Sequence, residues 1–571
     1  MQKFQTLANI ADICARSGVG DIIISPGSRS APLTVSFSRH PGLHCRVVMD
    51  ERAAGFMALG LAQQTGKPVG LICTSGTATL NYGPAVAEAF YQQVPLLIFT
   101  ADRPPEWIDQ QDGQTIHQQN LYFPHCRGSF NLPVDDSHPD ARWYAERIVS
   151  EAISQALGPI AGPVQLNVPL REPLYPAAGQ VIQPQPNRKI IQTLPAQADL
   201  SEADWQKLHS TWQQAGKKLI VAGIHQASPP GLERIQQDPT VALIADLTGN
   251  LHQTSSQLPY WELALETKSA PIREWLAPDL LVTFGGPVVS KSLKLLLREY
   301  RPQSHWHIDP GGQIIDTFQS LSQVIPLKAA TFFETVAHWA DDHLPAGARL
   351  TYFDAWQSLG KKAHELLVSF MAETPFNEFQ AAYDCLQALP EASRLQLSNS
   401  MPIRYANLIG LPGRNIRVNS NRGVSGIDGC LSTAVGAAWA TERITTLITG
   451  DLAFFYDRNG LWHNHVPANL RIIILNNHGG GIFKLIDGPT SLSAAELESY
   501  FFTPHPLTAK NSAADFDCDY FYCQDRPTLN QQLNEFFTPR RNAAILEIDT
   551  DSAVNAATYR QFKAMLANLS L

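Results

Sequence analysis

The chain has 571 residues, 44% of them hydrophobic and 17% charged, with a net charge of -9 at neutral pH. That length exceeds what one hydrophobic core supports and calls for about two to four domains, and the composition is that of a globular enzyme, not a disordered chain. The acidic balance excludes a general nucleic-acid binder, which would show a basic face, while leaving room for local basic pockets that take small anions.

Phe4, Leu7, Ala8, Ala11 and Cys14 recur at helical spacing, so the N-terminus reads as an amphipathic helix and not as a secretory apolar core. Next come strand-turn-helix units. Ile22-Ile23-Ile24 ends in Ser-Pro-Gly-Ser-Arg-Ser at 25–30, and Val47-Val48-Met49 leads into Asp50-Glu51-Arg52 and a small-residue helix. The run at 69–73 ends in Thr74-Ser75-Gly76-Thr77, the run at 96–99 ends in Ala101-Asp102-Arg103-Pro104-Pro105, and the unit closes near 164–168. Continuous apolar strands alternating with helices predict a parallel sheet covered on both faces.

A Pro/Gln-rich stretch at 176–197 predicts a linker. A second block follows, with apolar runs at 218–223, 241–244, 280–284 and 307–309. Its first turn lacks the G-x-G-x-x-G spacing of a dinucleotide site. A helical stretch at 353–371 leads to a third block whose strands are expected at 444–449, 471–475 and 543–548. The expected fold is therefore three α/β domains with parallel sheets covered by helices, at 1–178, 190–335 and 350–571. The first and third echo each other in pattern, which suggests duplication.

No apolar run approaches the roughly 20 residues that span a bilayer. Eight cysteines are scattered without metal-ligand spacing, as in a reduced cytosolic protein. A cytoplasmic location without a membrane span is expected.

The strand runs at 444–449 and 471–475 each end in a chemically distinct turn, Gly450-Asp451-Leu452 and Asn476-Asn477-His478-Gly479. Ligands collect at the carboxyl edge of such sheets. One Asp oxygen, one Asn oxygen and a main-chain carbonyl make a hard donor set suited to Mg²⁺. Two ordinary turns would also use Asp and Asn.

The pair of turns, with Asp-Glu-Arg opening an early helix, resembles the thiamine-diphosphate-dependent enzymes. The closest likeness is to the 2-succinyl-5-enolpyruvyl-6-hydroxy-3-cyclohexene-1-carboxylate synthase family of menaquinone biosynthesis. It rests on the segments at 25–30, 50–52, Thr-Ser-Gly-Thr-Ala at 74–78, Thr-Ala-Asp-Arg-Pro-Pro-Glu at 100–106, Ser-Asn-Arg-Gly-Val-Ser-Gly-Ile-Asp-Gly at 420–429, and 450–483. These span both outer domains in order; the likeness in the middle domain is faint.

The resemblance implies a thiamine-diphosphate-binding fold, with a pyrimidine-binding domain first and a diphosphate-binding domain last. Glu51 would be the acid that activates the cofactor, a role that burial of a carboxyl would suit. A surface glutamate favoured by the helix dipole is the plain alternative. Asp451, Asn477 and the backbone of Gly479 would hold Mg²⁺ or Mn²⁺. Ser400 and the turn carrying Gly423, Ser425, Gly426, Ile427 and Asp428 would meet the cofactor, Ile427 propping it and the turn donating main-chain N–H groups to phosphate.

The implied substrates are 2-oxoglutarate and isochorismate, two dicarboxylates for which arginine's planar fork is suited. Arg404 and Arg422 are matched to the donor, and Ser28, Arg29, Arg103 and Lys291 to the acceptor. Gln114 would assist proton handling, and Ile482 and Phe483 would wall the cavity. The sequence departs from the family at Leu452, where many relatives carry glycine, and at Ser292, where a second basic residue is common. The resemblance also implies a homodimer or homotetramer with active sites between subunits. Another 2-oxo acid decarboxylase or an acetolactate-type carboligase has less use for so many arginines, and a silent cofactor binder has no use for Glu51.

Overall fold

Three parallel sheets form where the apolar runs predict them, in a computed structural model that describes residues 2–570 apart from 187, 195, 197, 255, 256, 343–350 and 487. The first contains β1 (Asp21–Ile24), β2 (His44–Val47), β3 (Val69–Cys73), β4 (Leu96–Asp102), β5 (Gly128–Asn131) and β6 (Pro163–Pro169) in the order β2-β1-β3-β4-β6-β5. The second contains β7 (Lys218–Ala222), β8 (Val241–Ala245), β9 (Leu280–Phe284), β10 (Ser304–Ile308) and β11 (Gln323–Ile325), ordered β11-β10-β9-β7-β8. The third contains β12 (Arg394–Leu397), β13 (Arg417–Ser420), β14 (Thr445–Gly450), β15 (Leu470–Asn476), β16 (Asp519–Cys523) and β17 (Ala544–Asp549), ordered β13-β12-β14-β15-β17-β16.

The outer sheets thus share one strand order, the structural counterpart of the pattern echo in the sequence. In each, the chain steps outward from its first strand, then crosses back to the other side. That reversal opens a crevice at the carboxyl edge between β1 and β3, and again between β12 and β14.

Central strands such as β3 and β15 are buried at every residue, which explains the unbroken apolar runs at 69–73 and 472–475. Edge strand β2 begins earlier than the sequence suggests. It covers His44–Val47, and Val48 lies beyond it, fully buried, its N–H donated to the Ile24 carbonyl at 3.0 Å. The described part of the expected linker has neither helix nor strand; residues 187, 195 and 197 of it lie outside the described set. It is tied to the first domain by Gln5 to the Gln183 carbonyl at 2.8 Å and Gln185 N–H to Asn9 at 2.9 Å. The helix Tyr352–Glu373 then leads to the third domain.

The outer domains meet through the helices Glu51–Thr65 and Cys430–Trp439. Glycine makes the approach possible: a Cβ on Gly60 would overlap the Thr433 carbonyl, and one on Gly436 the Met57 carbonyl. Alanine normally stabilises a helix relative to glycine. Here Gly436→Ala is expected to lower stability by about 1–3 kcal/mol, because backbone must move to admit the methyl group. A denaturant titration showing unchanged or raised stability would contradict this close approach. Among the described residues, no helix is long and apolar enough to cross a membrane.

Candidate active site

Strands β14 and β15 pair in parallel with Gly450 opposite Leu475, so Asp451 and Asn477 emerge next to each other at the carboxyl edge. Both are buried. Asp451 Oδ2 accepts from the Gly479 N–H at 2.9 Å and lies 3.2 Å from His505 Nε2, while Oδ1 accepts from the Leu452 N–H at 2.7 Å. Leu452 therefore serves through its backbone, and the departure from the family pattern at this side chain leaves the carboxylate in place. Asn477 donates its Nδ2 to Glu378 Oε2 at 2.7 Å, which turns Oδ1 the other way. That Oδ1 is buried and has no hydrogen-bond partner among the described residues.

An unpartnered buried amide oxygen beside a buried carboxylate fits a hard divalent cation. The Gly479 carbonyl accepts from the Gly481 N–H at 2.9 Å and keeps a second lone pair. A side chain at Gly479 would collide with Phe502. Burial pushes the Glu378 carboxyl up to about 8, with Asn477 opposing and Asp451 reinforcing the shift. No cluster of three or more His, Cys, Asp or Glu side chains suited to a metal occurs among the described residues. A cation here relies on one carboxylate, one carboxamide and main chain.

Ser400 precedes the helix Met401–Ile409 with φ 74°, and its hydroxyl does not cap that helix. Arg404 reaches back to the Ser400 carbonyl. Arg422 Nη1 donates to Asn399 Oδ1 at 3.1 Å, and its buried Nε has no hydrogen-bond acceptor among the described residues. Burial holds the Arg422 guanidinium below its usual pKa, and the nearby Arg404 charge adds to this, with Asp246 and Glu88 opposing. Two arginines close enough to repel make a site for a carboxylate.

The turn at 423–429 differs from expectation in one respect. The sequence assigns its N–H groups to phosphate, yet those of Gly423, Val424 and Ser425 are donated to the carboxylate of Glu88, at 2.6, 2.7 and 3.3 Å. The Gly426 carbonyl accepts from Asn399 Nδ2 at 2.6 Å, and the Asp428 carboxylate occupies the space a Cβ on Gly426 would take. Ile427 stays half-exposed in this turn, and Gly429 passes so close to Phe56 that no side chain fits.

At the first sheet, Asp50 caps the helix Glu51–Thr65 by accepting from the Arg52 and Ala53 N–H groups. Its other oxygen accepts from Asn459 at 3.0 Å, fixing the turn against the third domain. Glu51 is half-buried, and desolvation raises its pKa, with Asp50 adding and its own backbone and Asn81 opposing. A helix dipole alone would lower it. The rise separates Glu51 from an ordinary helix-opening glutamate.

Arg29 and Arg103 come together in a cavity of about 330 Å³ lined also by Pro104, Trp107, Asp112, Arg171 and Glu172. Arg29 is buried, donates to the Leu170 carbonyl at 3.0 Å and sits 3.8 Å from Glu172. Arg103 donates to the Gly113 carbonyl at 2.9 Å, with its Nε 3.3 Å from Asp112. The Nε groups of both arginines lack hydrogen-bond partners among the described residues, the Arg103–Asp112 approach having ion-pair distance without hydrogen-bond geometry. By clamping residues 112–113, Arg103 also presents Gln114, which is exposed with φ 58° and packs against Gly76. Ser28 is exposed in the loop before Arg29.

Lys291 is exposed at the first turn of the helix Lys291–Glu299. Ser292, the departure from the family's paired basic residues, donates to Glu266 at 2.8 Å. The partly buried cation of this helix is Lys294, which donates to the Val288 carbonyl at 2.6 Å. Burial lowers its pKa against the pull of Asp246. Ile482 and Phe483 lie half-buried in the turn Gly481–Lys484 directly after the Asn477 loop. Phe483 meets Phe501 edge-on at 5.5 Å.

Arg171, Glu378, Asn399, His505 and Lys294 escaped sequence reading. Arg171 alone had a local signal, since it follows the apolar strand β6 in the way Arg103 follows β4. The others are set by partners 22 to 99 residues distant or by side-chain orientation.

Residues 5–121 match the family described as thiamine pyrophosphate enzyme, N-terminal TPP binding domain, and residues 185–397 match the middle domain of thiamine pyrophosphate enzymes. Proteins named 2-succinyl-5-enolpyruvyl-6-hydroxy-3-cyclohexene-1-carboxylate synthase are similar over nearly the whole chain. One from Cytophaga hutchinsonii is 41% identical over 560 residues, covering 98% of both chains. One from Flavobacterium johnsoniae is 37% identical over 566 residues, again with 98% of both covered. One from Desulfotalea psychrophila is 39% identical, covering 96% of this chain and 99% of its own.

Proposed function

The chain belongs to the family of thiamine-diphosphate-dependent 2-succinyl-5-enolpyruvyl-6-hydroxy-3-cyclohexene-1-carboxylate synthases, and from that membership we propose how its own residues perform the reaction. It is a carboligase of menaquinone biosynthesis. It decarboxylates 2-oxoglutarate and joins the remaining four-carbon unit to isochorismate by 1,4-addition, releasing CO2.

When bound, thiamine diphosphate supplies the electron sink for decarboxylation and carbon–carbon bond formation. Glu51, whose pKa burial pushes upward, would hold a proton for the aminopyrimidine ring. Asp451, Asn477 and the Gly479 carbonyl would hold Mg²⁺ or Mn²⁺ beside the diphosphate, with Ser400 as a further donor and Ile427 as an apolar prop. Arg404 and Arg422 bind the distal carboxylate of the donor. Arg29 and Arg103 bind the acceptor with Ser28 and Lys291 at its rim, and Arg171 adds a third guanidinium to that cavity. Gln114, presented by the Arg103 clamp, is placed to manage a proton, and Ile482 and Phe483 exclude water.

The observation that carries the substrate reading is the convergence of Arg29, Arg103 and Arg171 on one cavity, where the buried Nε–H groups of Arg29 and Arg103, like that of Arg422, have no hydrogen-bond acceptor among the described residues. Unpaired buried donors are costly, and carboxylate ligands would satisfy them. The working unit is a homodimer or homotetramer in the cytoplasm, with Glu51 of one subunit serving the cation-held cofactor of another. Exposed apolar side chains at Val47, Met49, Leu80 and Tyr456, around the Glu51 turn, support an interface there.

A product assay with 2-oxoglutarate, isochorismate, thiamine diphosphate and Mg²⁺, each omitted in turn, tests the reading. Product is expected only from the complete mixture. Brisk turnover of pyruvate in place of 2-oxoglutarate would overturn it in favour of another carboligase of the same cofactor.

A further inference from the structure

Glu88 lies in the first domain, on the helix Gly83–Gln92, and is 2% exposed. No lysine, arginine or histidine pairs with it among the described residues. Its carboxylate is instead satisfied by the N–H groups of Gly423, Val424 and Ser425 in the third domain, together with the amide of Gln92. Gln92 also donates to the Ser420 carbonyl at 3.1 Å, and Gln63 donates to Gln92. On its other side, Asn399 Nδ2 donates to the carbonyls of Asn421 and Gly426, at 2.7 and 2.6 Å. The segment is therefore strapped: Glu88 and Gln92 of the first domain hold three of its N–H groups and the Ser420 carbonyl, and Asn399 of the third domain holds the carbonyls of Asn421 and Gly426. Val424 at the tip is 53% exposed and adds little packing of its own.

A buried carboxylate without a direct ion pair is expensive, and three converging N–H dipoles offset that cost. Without it the same three N–H groups would have no acceptor among the described residues. Arg422 is the residue immediately before the strapped turn, so its guanidinium direction depends on how that turn is held.

We infer that Glu88 is a positioning residue for the donor site: through the N–H groups of Gly423 to Ser425 it fixes the turn that aims Arg422 at the distal carboxylate of the 2-oxo acid. It acts across the interface between the first and third domains and touches no substrate. The inference rests on the reading of Arg422 as the donor's ligand.

Glu88→Gln tests it in the full-length enzyme saturated with cofactor and Mg²⁺. An amide has one acceptor oxygen and sets its NH2 against N–H donors. The expected result is a rise in KM for 2-oxoglutarate of about tenfold, with KM for isochorismate unchanged. Glu88→Asp keeps the charge but falls one methylene short. It should give an intermediate value and tests the same claim if the glutamine variant does not fold. An unchanged KM for the donor, a parallel rise for both substrates, or a loss confined to kcat would each overturn the inference. Arg422→Ala separates the two layers. If it raises the donor KM while Glu88→Gln does not, only the positioning claim fails; if neither raises it, the reading of Arg422 fails.

Discussion

Glu51→Gln is expected to reduce turnover by about 10²–10⁴-fold, the contribution typical of a positioned acid or base, while leaving thiamine diphosphate bound. Glutamine matches the shape and keeps an oxygen and a donor, but it has no acidic proton to place on the cofactor's ring. Desolvation already pushes the Glu51 pKa upward, so the protonated form persists to higher pH than for a free glutamate. The sign follows: activity that needs the proton is full below the raised pKa and falls as pH climbs through it. The residual activity of Glu51→Gln should lack that alkaline limb. Steady-state rates across pH, paired with calorimetric titration of the cofactor, check both halves. A variant with undiminished turnover would remove Glu51 from the chemistry, and one that no longer binds cofactor would make it a structural residue.

Asp451→Asn should abolish metal-dependent cofactor binding. The amide oxygen can still accept from the Gly479 N–H, so the turn survives, but the single carboxylate of the cation site is gone. Loss of an outer partner of a metal ligand commonly costs about 10–100-fold in affinity, and loss of the charged ligand itself should cost at least as much. Titrating thiamine diphosphate at increasing Mg²⁺ measures this directly. Unaltered Mg²⁺ dependence would sink the assignment of Asp451 and, with it, that of Asn477.

The same variant reports on assembly. Co-expressed with Glu51→Gln, it should restore activity to about a quarter of the parent, because half the dimers are then mixed and each has one intact site of two. Absence of recovery would place the acid and the cation in one subunit.

The central strands of all three sheets were legible because each is covered on both faces and so must be apolar at successive residues. β12 and the edge strands β5, β13 and β16 were harder. Arg-Leu-Gln-Leu in β12, Gly-Ser-Phe-Asn in β5, Arg-Val-Asn-Ser in β13 and Asp-Tyr-Phe-Tyr-Cys in β16 carry polar residues, and β5 and β16 are largely half-covered. No unbroken apolar run marks them. At the site, Asp451 and Asn477 were readable from their turns, whereas the N–H groups of Gly423 and Ser425 were assigned to phosphate although Glu88 takes them. The partly buried Lys294 was not read, because helical phase decides which side chains of that helix turn inward.

By itself, then, the sequence determined the three parallel sheets and the chemical kinds gathered at their carboxyl edges, since burial on two faces and turn chemistry are imposed by near neighbours along the chain. Only the tertiary structure decided which way those groups point. Glu378, 99 residues from Asn477, turns its amide oxygen outward, and Glu88, 335 residues from Gly423, straps the turn beside Arg422. Orientation of this kind comes from hydrogen bonds between segments that meet only after the strand order reverses and the outer domains close on each other. Residue order leaves no periodic trace of such meetings.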